Sequence, residues 1–151
     1  MSTKINRLLL KDKKTYKICA LEDISYENDF LNAAAQKLKD GAEIVEFDGS
    51  SIADKDYLSV GKKLRGLCGV FNALLIIRGR IDIAKLTGAD GVIFDDTSIG
   101  ISEGFELTEN QLLLGYFAQS GILPEENLID KCDFIVSQAP ISADIKTFQP
   151  N

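Results

Sequence analysis

LLIIRGRIDIAKLTGADGVIFDD, residues 74–96, decides the fold. Leu74–Ile77 is an apolar run of strand length, and Ile81–Thr87 has the spacing of a short helix. Gly88-Ala89-Asp90-Gly91 reads as a turn that feeds a second apolar run, Gly91–Phe94. The whole is one βαβ step, two parallel strands joined by a helix. Gly88 and Gly91 supply a helix stop and a close backbone approach. Their spacing lacks the longer glycine fingerprint of nucleotide loops, so turn geometry is preferred to phosphate cradling.

Outward from that step the alternation continues. Tyr16–Leu21, Glu43–Phe47 and Ala73–Ile77 read as strands, followed in turn by helical patterns at Asn28–Lys39, Asp54–Val70 and Ile81–Thr87. Phe30, Leu31, Ala34, Ala35 and Leu38 recur at helical spacing, as do Leu58, Gly61, Leu64 and Leu67/Cys68, and both faces read as core. Glu27-Asn28-Asp29 opens the first helix and Gly41 closes it, while Ser50, Ser51 and Asp54 precede the second. Residues 97–110 are polar and read as an irregular loop. Gln111–Phe117 is ambiguous: Thr108 and Gln111 could cap a helix running to Gln119, or LLLGYF could be a fifth buried strand. Pro124-Glu125-Glu126 suits a helical first turn, and Phe134–Val136 is a further strand.

Length and charge set outer limits. At 151 residues and 45% hydrophobic content, the expectation is a single domain over 1–151 with one core. Seventeen Lys and Arg against 23 Asp and Glu give a net charge of −6, which leaves no phosphate-neutralising surface for nucleic acid. No apolar run approaches a bilayer span and no signal-peptide core precedes the first strand, so a cytoplasmic protein is expected. Cys19, Cys68 and Cys132 form no Cys-x-x-Cys pair and read as small core residues. The chain has no histidine. Acid–base work near neutral pH would therefore fall to carboxylates, Lys, Tyr or a ligand.

Six βα-type steps fit, where a closed (β/α)₈ barrel needs eight and usually at least about 200 residues. The fold class expected is α/β: an incomplete TIM-type (β/α) barrel with about six parallel strands and flanking helices. In such folds the chemistry sits at the carboxyl ends of the strands. Those positions are Glu22/Asp23, Asp48/Gly49, Arg78/Gly79/Arg80, Asp95/Asp96, Gln119/Ser120 and Gln138. An arginine pair facing carboxylates could hold a phosphate or a divalent metal, or could form an ion-pair network at the rim of the sheet. The network is the preferred reading, with Arg78 and Arg80 expected to meet Asp95 or Asp96.

The decisive stretch also resembles the thiamine phosphate synthase/TenI-like family. There a strand ending in Ile-Asn-Asp-Arg runs into Val-Asp-Ile-Ala and then Gly-Ala-Asp-Gly-Val-His-Leu-Gly-Gln. Arg80, Ile81, Asp82, Ile83, Ala84 and Gly88-Ala89-Asp90-Gly91-Val92 match in order and spacing. The family also places a strand ending in Gly-Val-Ser-Thr-His-Ser about where Gly115–Ser120 stands, which favours the strand reading of Gln111–Phe117. By the resemblance, magnesium would be held by residues aligned with Gly79 and Ser98, neither a carboxylate. The family's Arg-Glu-Lys for pyrophosphate is Asp48-Gly49-Ser50 here, its Asn is Arg78, and its His is Ile93. Ser142 and Lys146 loosely echo a Thr-rich, Lys-ending loop.

The resemblance implies a thiamine phosphate synthase/TenI-like protein linked to thiamine metabolism, catalytically inactive and acting as a ligand- or partner-binding protein. The alternative is an active transferase of the thiamine phosphate synthase type with a rearranged phosphate and metal site. No residue is assigned as catalytic or as a metal ligand. The ligand-binding candidates are Asp48, Arg78, Arg80, Asp95, Asp96, Ser120 and Gln138. No cofactor is expected, with Mg reserved for the alternative. A phosphorylated small molecule is the expected ligand, nucleic acid and membrane are not expected, and a homo-oligomer or partner chain is expected through the first-strand and sixth-strand edges. Leu8–Leu10 or the 141–151 tail would be the plug in a monomer.

Overall fold

The computed structural model describes residues 18–21, 27–95, 106, 108, 111–118, 131–137 and 148–150. They fall into two compact units, one over Tyr16–Asp90 and one that takes up the chain from Gly91.

The first unit repeats a strand followed by a helix. Its strands are β1 (Ile18–Leu21), β2 (Ile44–Phe47) and β3 (Leu74–Arg78), and its helices are α1 (Glu27–Lys39), α2 (Asp54–Val70) and α3 (Ile81–Thr87). β1 pairs parallel with β2, Ile18 opposite Ile44, and β2 with β3, Ile44 opposite Leu74. Successive strand residues point to opposite faces. Phe47 turns to the helices, its ring 5.5 Å from Phe30 of α1 and 5.0 Å from Tyr57 of α2. Ile44 and Glu46 alternate with it on the opposite face, and all four residues of β2 are buried.

α1 buries Phe30, Ala34 and Leu38, as its spacing requires. α2 is turned slightly from the expected face: Tyr57, Val60, Gly61, Leu64 and Cys68 are buried, while Leu58 and Leu67 are only half-buried. Packing against α3 explains the rotation, since a Cβ at Gly61 would stand 2.7 Å from Thr87 Cγ2 and only glycine admits that approach. The cap of α2 also differs. Ala53 occupies it without a side-chain hydrogen bond, and the nearby carboxylates Asp54 and Asp56 lie in the first turn.

All three helices end alike. Gly41, Asn72 and Gly88 have φ of 101°, 55° and 73°. The alanine after each donates its N–H into the last turn: Ala42 to Lys37 O at 3.0 Å, Ala73 to Cys68 O at 2.9 Å and Ala89 to Ala84 O at 3.0 Å. This satisfies carbonyls that a helix end leaves orphaned. Gly88 is therefore the helix stop the sequence implies. Asp90 completes the turn: its N–H donates to Leu75 O, and its buried carboxylate accepts from Leu75 N–H and Arg65 Nη1, both at 2.8 Å.

The second unit holds β4 (Gly91–Phe94), β5 (Leu113–Ala118), β6 (Phe134–Ser137) and β7 (Phe148–Pro150). β4 pairs parallel with β5, and β5 with β6. The ambiguous segment is thus a strand. A Cβ at Gly115 would overlap the Phe134 ring, so glycine opens the space that ring fills. Asp133 repeats the Asp90 device, its carboxylate accepting Leu114 N–H at 2.9 Å. Two expectations are corrected. Glu106 and Thr108 have helical backbone within the segment read as irregular loop. β7 runs antiparallel along β6, Val136 opposite Phe148, so the sixth strand is not a free edge. Three residues ending in proline carry too weak a strand signal to foresee it, although proline is tolerated on an edge strand.

Among the described residues, no helix is long and apolar enough to cross a membrane. Cys68 and Cys132 are buried. Burial and the nearby Asp133 charge push the Cys132 thiol up to about 12. Leu8–Leu10 and most of 141–151 lie outside the described residues.

Candidate functional site

The carboxyl ends of β2 and β3 gather the richest polar chemistry of the first unit. Behind β2 the chain turns at Asp48, whose Oδ1 accepts the Ser50 N–H at 3.0 Å, a local turn that Asp favours. Gly49 lies under the Tyr57 ring, where a Cβ would come within 2.6 Å of ring carbons. Tyr57 itself is 1% exposed. Its hydroxyl lies 3.1 Å from Phe47 O and 2.9 Å from Arg78 O, so one phenol ties together the last residues of two strands. Burial, the largest cause, pushes this phenol up to about 12, and it stands neutral at physiological pH.

β3 ends in Arg78, with Gly79 and Arg80 following. Both arginines lie at the carboxyl end, as the sequence implies, and each has a carboxylate partner within the first unit. Arg78 Nη1 lies 3.3 Å from Glu46 Oε1, with side-chain exposures of 17% and 6%. Arg80 is held from two sides. Nη1 and Nη2 donate to Asp54 Oδ1 and Oδ2 at 2.8 and 3.1 Å, and Nε and Nη2 donate to Asp82 Oδ1 and Oδ2 at 3.0 and 2.8 Å. Two carboxylates on adjoining helical first turns thus engage four of its N–H directions. Hydrogen bonding to Arg80 holds both carboxyls below the usual range, and both bonds raise the guanidinium further.

Asp95 follows β4 in the second unit and is half-buried. Asp96, Ser98, Ser120 and Gln138 lie outside the described residues. Among the nominated residues, the structure therefore brings Asp48, Arg78 and Arg80 to one end of the first unit.

Glu46, Asp54, Asp82 and Tyr57 were missed by sequence reasoning. Glu46 had a signal, as the single charge inside the buried run IVEF. Asp82 follows Arg80 by two residues. Tyr57 and Asp54 had none, because only the fold brings the start of α2 beside the end of β3.

Among the described residues of the first unit, four carboxylates, Glu46, Asp48, Asp54 and Asp82, stand at this end beside two guanidinium groups. That balance is unsuited to gripping a pyrophosphate. Gly79 has no side chain to donate, three of the carboxylates are in arginine pairs, and no group of three or more His, Cys, Asp or Glu able to hold a metal occurs among the described residues.

A family model described as Thiamine monophosphate synthase matches residues 15–146. The thiamine-phosphate synthase of Fusobacterium nucleatum is 28% identical over 130 residues, covering 86% of this chain and 63% of that protein. The thiamine-phosphate synthase of Synechococcus sp. (strain CC9311) is 32% identical over 102 residues, covering 66% of this chain and 29% of that one. Thiamine phosphate pyrophosphorylase from Pyrococcus furiosus superposes with a TM-score of 0.69 at 23% identity, over 82% of this chain and 60% of that one. The chain thus spans less than two-thirds of the length of these relatives. The structural likeness shows the fold class, the parallel βα steps of an incomplete TIM-type barrel with flanking helices.

Proposed function

The chain belongs to the thiamine monophosphate synthase family, and from that premise we propose that it is a non-catalytic member, linked to thiamine metabolism as a ligand- or partner-binding protein. The observation that carries this reading is the state of the two guanidinium groups at the end of β3. Arg80 is engaged by Asp54 and Asp82, and Arg78 by Glu46. An incoming pyrophosphate would have to displace carboxylates that stay attached to the chain beside it. Exposed pairs such as those of Arg80 are individually weak. The obstacle is the like charge left in place, which opposes the several negative charges of a pyrophosphate docking beside Arg78 and Arg80. Asp48, at the end of β2, adds to it.

The test is a synthase assay on the purified chain with a pyrimidine pyrophosphate, a thiazole phosphate and magnesium. No thiamine phosphate above the enzyme-free control is the expected result, because missing electrostatic clamps cost orders of magnitude in rate. Turnover that persists through purification and disappears in an Asp95→Ala/Asp96→Ala variant would instead establish the alternative, an active transferase with a rearranged, magnesium-dependent site. A native mass spectrum of the same preparation reads the binding half of the proposal. A retained phosphorylated small molecule or a second chain is expected.

A further inference from the structure

Glu46 is only 5% exposed and sits on the face of β2 away from the helices. A carboxylate so placed is costly to keep charged without a cation beside it. Metal-using sites supply a divalent ion for this purpose. Here the cation is covalently attached to the neighbouring strand. The parallel register sets Glu46 opposite Ile76, and Arg78, two residues on and therefore on the same face, reaches back to it at 3.3 Å. The next residue withholds a ligand: Gly79 has no side chain and stands at φ 70°. The other described carboxylates nearby are also engaged, Asp54 and Asp82 by Arg80 and Asp48 by the Ser50 N–H.

We infer that the carboxyl end of β3 takes no divalent metal, and that Arg78 supplies to buried Glu46 the positive charge a metal would bring. The inference rests on the non-catalytic reading proposed above and deepens it. A divalent ion arriving there would meet a guanidinium, and among the described residues of the first unit it would find the carboxylates already engaged.

The full chain titrated with Mn²⁺, with the free ion followed by electron paramagnetic resonance, tests this directly. The wild-type protein is expected to show no saturable binding up to millimolar Mn²⁺, and the same melting temperature in magnesium chloride as in sodium chloride of matched ionic strength. An Arg78→Asn/Gly79→Asp variant removes the guanidinium, releases Glu46 and adds a second carboxylate, at a backbone conformation that Asp tolerates better than most residues. It is expected to bind Mn²⁺ at least tenfold more tightly than wild type. Stoichiometric Mn²⁺ binding by the wild-type chain overturns the inference, as does a folded variant with no gain. Should the variant not fold, the wild-type titration decides alone. Thiamine phosphate turnover without metal binding would defeat the non-catalytic reading and spare this one, whereas metal binding without turnover would do the reverse.

Discussion

Tyr57 makes the ends of two strands depend on one hydroxyl. The hydroxyl lies within hydrogen-bond distance of Phe47 O and Arg78 O, and the ring lies over Gly49. Tyr57→Phe keeps the ring and removes the bonds, so it should lower stability by about 1–2 kcal/mol, read from chemical denaturation, without changing the secondary structure. The pH dependence has a definite sign. The folded phenol is pushed up to about 12, above the unfolded value of about 10, so folding favours the neutral form. Its contribution is complete below about pH 10 and disappears as pH rises towards about 12. Wild type and Tyr57→Phe should therefore converge in stability through that alkaline window; a gap that stays constant would show that the buried phenol is not what titrates. Little of this was legible in the sequence, where Tyr57 is one aromatic residue on an amphipathic pattern. The contact that gives it meaning joins residues 21 positions apart.

At the scale of elements, Arg80 fastens the first turn of α2 to that of α3 through Asp54 and Asp82. Both carboxyls are held below their ordinary range by Arg80, the usual sign for an acid that gains a cationic partner on folding. The stabilisation is present above the unfolded carboxylate value of about 3.9 and is lost as pH falls through the lower folded values. An Arg80→Gln variant should melt below wild type at neutral pH, and the difference should shrink below about pH 4. A difference that widened in acid would show that the clamp does not bind these helices. The elements themselves were well marked in sequence: apolar runs gave β2, β3 and β4, and helical spacing gave α1, α2 and α3. The precise seam of α2 was not, because Leu58 and Leu67 fit the 3.6-residue period as well as Tyr57 and Val60 do. Close contact between Gly61 and Thr87 chooses between them. The candidate site was legible as a location, since Asp48, Arg78 and Arg80 do stand at strand ends, but its pairings were not, because partners on neighbouring elements leave no mark in spacing along the chain.

For the molecule as a whole, the outermost strands matter most. Among the described residues β1 pairs only with β2, whereas β7 lies along β6. An edge strand with unpaired backbone groups invites a second chain. Association through the outer side of β1 is the expected outcome, read as a dimer or larger species by light scattering at micromolar concentration. A monodisperse monomer would rule it out. The left-handed helix ends carry another consequence. The amides of Ala42, Ala73 and Ala89 are each on a buried residue and each close the last turn of a different helix. Their exchange with deuterated solvent can occur only when that particular turn opens. One amide per step thus records local opening, and comparison of the three rates separates a first unit that unfolds all at once from one whose strand-and-helix steps come apart singly.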